Sequence, residues 1–101
     1  MSFDITFHFK GMDSTDAIKN YATEKSHKLE KYLTGSTVIK WNFELEHVTH
    51  RATCHLTSDS INDIAEAESE DLYKSIDFAI DKIVNQARKQ IEKLKSHHHG
   101  K

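Results

Sequence analysis

Hydrophobic residues occupy every second position from Phe3 to Phe9, with Phe3, Ile5, Phe7 and Phe9 on one side and Asp4, Thr6 and His8 on the other. Strict alternation predicts a half-buried β-strand. Gly11 breaks it, and Asp13, Ser14 and Thr15 each offer a helix N-cap oxygen. From Asp16 to Leu33 the period lengthens: Ile18, Ala22, Leu29 and Leu33 recur at helical spacing, Ser26 interrupts the stripe, and Gly35 ends the helix. A second strand places Ile39, Trp41, Phe43 and Leu45 on one face, with Val38, Lys40, Asn42, Glu44 and Glu46 on the other. A turn over His47 to His50 leads to a third strand, Arg51 to Thr57, with Ala52, Cys54 and Leu56 inward. After a second turn, Thr57 to Ser60, a fourth strand covers about Ile61 to Glu68; Ala65 and Ala67 face inward, but Asp63 shares their parity. The last element is a helix from about Asp71 to Lys95, its stripe built from Leu72, Ile76, Ala79, Ile80, Ile83, Ala87, Ile91 and Leu94.

The predicted class is α+β, in the order β-α-β-β-β-α. Both helices would cover one face of a four-stranded sheet and leave the other face wet. A right-handed crossover through the first helix would set the first two strands parallel.

Length adds one constraint: 101 residues make one domain, here residues 1–95, able to build a core without staples. Residues 96–101 are expected to form a native, disordered polar tail, since three histidines fall short of a usual affinity tag. Cys54 is the single cysteine, so no intrachain disulfide can form and a reducing compartment is expected. No apolar run approaches the roughly 20 residues of a membrane span, and the N-terminus lacks a signal peptide's apolar segment. The expected location is the cytoplasm, with no membrane partner.

Charge changes the picture more. The formal net charge is −2, yet residues 59–71 carry six acids and no Lys or Arg, while residues 82–95 carry five bases against Glu92 alone. A partner meets that local field rather than the sum. On a helical wheel, Tyr21, Lys25, Lys28 and Tyr32 share a strip of the first helix. Phe78, Lys82, Asn85, Lys89 and Lys93 share one on the last, on the flank opposite Arg88 and Lys95. Two facing lysine strips with interleaved aromatics would grip a phosphate backbone, although lysines at such spacing are more often simply solvated helix flanks.

Other chemistry is poorly supported. His47, His50, Cys54 and His55 are close in sequence, but in a strand Cys54 and His55 point to opposite faces and cannot share an ion. There is no nucleophile–base set, no glycine-rich phosphate loop and no metal-ligand spacing. Asp77 and Asp81 are an i, i+4 carboxylate pair of the kind that is usually solvated or paired with lysine. No enzyme, cofactor, metal or small-molecule substrate is expected.

The segment DLYKSIDFAIDKIVNQ, Asp71 to Gln86, resembles the last-helix motif of the ribosome hibernation-promoting factor family, also called ribosome-associated inhibitor A or sigma-54 modulation proteins. TDAIKNYATEKSHKLEKYL, Thr15 to Leu33, is similar to that family's first helix, and EHVTH and ATCHL to its central strands. The resemblance covers almost the whole chain. It implies a fold similar to double-stranded RNA-binding domains. It further implies a partner, the small-subunit ribosomal RNA, contacted in the decoding channel where messenger and transfer RNA would sit, so that idle ribosomes are reversibly silenced in stationary phase or stress. Carried over, the RNA-binding residues are Lys25, Lys28, Lys82, Lys89, Lys93 and Lys95; the helical strips, not the resemblance, add Tyr21, Tyr32 and Phe78 as aromatic contacts.

The sequence also departs from the family. Asn85 stands where arginine is common, Ile91 where a further base is common, and Ser26 replaces an apolar residue; Arg88 would supply the missing helix-end contact. The chain is expected to be the short form, monomeric off the ribosome, with any ribosome dimerisation needing another factor. The competing expectation is a small regulatory domain that binds a basic protein through the acidic segment 59–71.

Overall fold

The computed structural model describes the backbone of residues 3–33, 35–59 and 61–98, and side-chain surroundings as far as residue 93. Strand β1 (Phe3–Lys10) leads to helix α1 (Asp16–Ser26) and a 3-10 extension (His27–Tyr32). Strands β2 (Thr37–Glu46), β3 (Thr49–Thr57) and β4 (Asn62–Ser69) follow, and helix α2 (Leu72–His98) closes the order β-α-β-β-β-α. Sheet order is β1-β2-β3-β4, with β1 parallel to β2 and the other pairs antiparallel.

Register explains why one face is dry. Phe7, Trp41, Cys54 and Ala65 form one row across the sheet; Phe9, Phe43, Ala52 and Ala67 form the next. These rows join Ile18, Ala22 and Leu29 from the first helical segment and Ile76, Ala79, Ile80, Ile83 and Ala87 from α2 in one core. Both helices therefore lie on the same face. The opposite face carries rows such as Lys10, Glu44, Arg51 and Glu68, where Arg51 reaches Glu44 at 2.7 Å, Glu66 at 2.8 Å and Glu68 at 2.7 Å.

Two sequence anomalies find physical reasons. Ser26 is fully buried: Trp41 Nε1–H donates to its Oγ at 2.9 Å, and that hydroxyl donates onward to the Ala22 carbonyl at 2.7 Å. A polar residue stands in the apolar stripe because the buried indole needs an acceptor. Asp63 closes the row Ile5, Ile39, Leu56 and faces α2, where Gln90 Nε2 donates to its two carboxylate oxygens at 2.7 and 2.8 Å.

Several boundaries differ from expectation. The first helix was expected to run to Leu33; α1 instead ends at Ser26, winds on as the 3-10 extension, and leaves Leu33 extended. Each 3-10 residue turns about 20° further than an α-helical one, so by Tyr32 the wheel is rotated by roughly 120°. Tyr21 and Tyr32 both pack against the core, but Tyr21 reaches Asp77 while Tyr32 lines a cleft beside α2. The turn expected over His47 to His50 is only His47–Val48, because Glu46 already pairs with Thr49. Its one positive φ, 59° at His47, puts the first corner of this two-residue hairpin in the left-handed region without glycine. The backbone of α2 is helical through His98, past the expected tail boundary; residues 99–101 lie outside the described residues.

Gly11 sits at φ 76°, and a Cβ there would run into the Leu45 carbonyl oxygen. Gly11→Ala should lower unfolding free energy by at least ~1 kcal/mol in a urea titration, through the left-handed backbone alone and more through the clash. An unchanged midpoint would contradict this.

Burial pushes the Cys54 thiol from 9.0 to about 12, and the hydrogen bond to Asp77 pushes the Tyr21 phenol from 10.0 to about 12. Both groups hold their protons more tightly folded than unfolded. Their contribution is therefore intact below pH 9 and declines as pH rises from 9 towards 12. Two readouts follow: unfolding midpoints that fall across that alkaline window, and a thiol that reacts with a disulfide reagent near pH 8 only once urea opens the core.

Candidate nucleic-acid interface

Asp71 starts α2 by accepting the Tyr73 N–H at 3.0 Å. Ser75, fully buried, lies 2.7 Å from both the His50 carbonyl and Ser69 Oγ, fastening the first turn to β3 and β4. These anchors and the apolar stripe fix the rotation of α2, and with it the direction of every charged side chain beyond.

The two lysine strips do not face each other. The side of α2 turned towards α1 carries Asp77: Tyr21 donates to its Oδ1 at 2.7 Å, and Lys25 Nζ lies 3.8 Å from the same atom. Lys25 also stands 5.3 Å over the Tyr21 ring, whose edge meets Tyr73 at 4.9 Å. Tyr21 and Lys25 are thus committed to bridging the helices. The lysine strip of α2 lies on its other flank, above β4, where Lys82 Nζ donates to the Glu66 carbonyl at 2.7 Å. The facing arrangement fails because the wheel of one helix cannot say which flank its neighbour takes.

What remains exposed is a crest along α2. Lys82, Arg88, Lys89 and Lys93 are all exposed, and Phe78 stands at their N-terminal end with 49% of its surface open to solvent. Asn85, within the crest, accepts from Arg88 Nη2 at 3.0 Å, so it orients the guanidinium that the sequence suggested as the substitute base. Ile91, at a position where the family resemblance implied a base, is partly buried against the core. Lys95 belongs to the part of α2 whose side chains lie outside the described residues.

Beside the crest, a cleft of about 560 Å³ separates the 3-10 extension from α2. Tyr32 and Val84 line it half-buried, and Lys28, Lys31 and Asp81 line it exposed. His27 and Glu30 also border it, joined to each other at 3.1 Å.

The acidic segment is largely used within the fold. Glu66 and Glu68 hold Arg51, Asp63 holds Gln90, and Asp71 caps α2. Only Asp59 and Glu70 of the six acids there have no such bond among the described residues, which weakens the case for a basic docking partner. Cys54 points into the core while His55 meets Asn62 Oδ1 at 3.0 Å on the wet face. Among the described residues no His, Cys, Asp and Glu side chains gather as metal ligands, and no helix is long and apolar enough to cross a membrane.

The family described as "Sigma 54 modulation protein / S30EA ribosomal protein" matches residues 5–95. The chain is 35% identical over 99 residues to a protein of Salmonella typhimurium named ribosome hibernation promoting factor, covering 96% of this chain and all of that one. It is 36% identical over 88 residues to the Escherichia coli protein of the same name, covering 85% of this chain and 90% of that one. The crystal structure of Thermus thermophilus Protein Y N-terminal domain superposes with a TM-score of 0.76 at 27% identity, over 85% of this chain and 93% of that one.

Proposed function

The chain belongs to the sigma 54 modulation protein / S30EA ribosomal protein family, and from that premise we propose that it is a ribosome hibernation factor. It binds the small subunit by its ribosomal RNA, in the decoding channel, and reversibly silences translation in stationary phase or stress. The observation that carries this reading is the exposed surface of α2: a chain of net charge −2 gathers Lys82, Lys89 and Lys93 with Phe78 on one flank, and Arg88 joins them from the opposite flank through Asn85. Such a ridge suits a ribose-phosphate backbone, with the bases meeting phosphates and the ring meeting a sugar or base. Inhibition needs only occupancy, so the protein acts without cofactor or covalent chemistry, in the cytoplasm, as a monomer when off the ribosome.

The test is co-sedimentation with purified ribosomes across a salt series at fixed magnesium. If the four crest bases each meet a phosphate, log affinity falls with log salt at a slope of about −3, or roughly 60-fold between about 50 and about 200 mM. Ribosomes already holding messenger and transfer RNA should exclude the protein, and translation in a purified system should stop in proportion to occupancy. Binding that ignores both salt and a filled channel would refute the proposal.

A further inference from the structure

We infer that the cleft between the 3-10 extension and α2 takes a single unpaired nucleotide of the bound RNA and that Asp81 reads its base edge. The inference rests on the RNA-binding reading above and says which part of the RNA this surface selects.

Three observations converge on it. The cleft measures about 560 Å³, within the roughly 300–1,000 Å³ of small-ligand sites. Its lining divides by chemistry: half-buried Tyr32 and Val84 offer an apolar seat for a planar ring, and exposed Lys28 and Lys31 supply charge for the attached phosphate. Lys31 Nζ stands 5.4 Å over one face of the Tyr32 ring, so the base takes the ring's free face or edge with the cation close by.

The third observation is the carboxylate. Glu30 is occupied by His27 and Asp77 by Tyr21 and Lys25, whereas Asp81 has no hydrogen-bond or ion-pair partner among the described residues. An uncommitted carboxylate beside two lysines works against a site meant for phosphate alone. It suits a site that must accept N–H donors from a base. Guanine fits best, because its N1–H and N2–H lie side by side and match the two carboxylate oxygens. Cytosine and adenine offer an amino group next to a ring acceptor, and uracil sets its one N–H between two carbonyls. Only an unpaired base exposes that edge, so the cleft selects a loop or bulge over a continuous duplex.

The experiment is an NMR titration of isotope-labelled full-length protein with GMP, with inosine monophosphate, which lacks only the 2-amino group, and with UMP. Expected are shifts centred on Lys28, Tyr32, Asp81 and Val84, and GMP binding at least about fivefold tighter than either analogue. Asp81→Ala should erase that preference by weakening GMP while UMP binding holds or improves, and Tyr32→Ala should weaken all three. Asp81 is exposed, so the amide spectrum of D81A should confirm an unchanged fold. The inference is overturned if D81A strengthens all three nucleotides equally, as loss of a mere repulsive charge would, or if the wild type shows no GMP preference. Co-sedimentation of the wild type, run in parallel, separates the two levels. Ribosome binding without nucleotide preference overturns the cleft alone; absence of ribosome binding removes the premise and the inference with it.

Discussion

Changing Lys82, Lys89 and Lys93 together to glutamate should lower ribosome affinity by on the order of 100-fold or more, enough to clear the protein from the ribosome pellet at moderate salt. Each reversal deletes one phosphate contact and places a like charge against the backbone, so the remaining salt slope should flatten by about one per lysine. The fold should survive: all three side chains are exposed, and among the described residues only Lys82 makes a bond within the chain, to the Glu66 carbonyl. The contrasting variant reverses Glu66, Glu68 and Glu70. That set disturbs the Arg51 cluster on the wet face and should leave ribosome binding intact or slightly stronger. If the acidic set abolishes binding and the lysine set does not, the partner is a basic protein surface and the crest is a solvated flank. Single variants order the crest; Arg88→Ala should weaken binding, and Asn85→Ala should do so more mildly by freeing the guanidinium that Asn85 holds.

The second large effect concerns stability. By helical periodicity, Ser26→Leu looks like a repair of the apolar stripe. It should instead destabilise strongly. Losing the hydroxyl leaves the Trp41 indole N–H buried without an acceptor, which costs about 1–3 kcal/mol. Ser26 and Trp41 are 0% and 1% exposed, so the larger side chain must also displace close-packed neighbours, adding roughly 1–3 kcal/mol. Ser26→Ala isolates the first contribution, since it removes the acceptor without adding volume. Urea unfolding followed by tryptophan fluorescence should rank the wild type above Ser26→Ala and Ser26→Ala above Ser26→Leu. A more stable Ser26→Leu would mean that the stripe, and not the indole, governs this site.

That serine marks where one-dimensional reading stops. Its position was readable as an exception, but its partner lies on β2, fifteen residues away in sequence. Asp63 is similar: its parity with Ala65 was visible, whereas the Gln90 amide that donates to it in the helix-facing row comes from α2. The two-residue hairpin was missed because its left-handed corner is a histidine rather than a glycine. The 3-10 winding of His27–Tyr32 was missed because a stripe of Leu29 and Leu33 fits either helix well enough over so few turns.

Period-2 alternation in β1 to β3, the long stripe of α2 and the segregation of acids from bases are local properties, so residue order alone settled the β-α-β-β-β-α succession, most of the core-facing residues and the basic character of the end of α2. The relation between elements is not local. The sheet seats each helix by its apolar stripe, and where α2 then lies sets which flank meets α1 and which is left to solvent. That turned two imagined facing strips into a bridge at Asp77, a crest at Lys82 to Lys93 and, between them, a cleft whose Asp81 has no partner among the described residues.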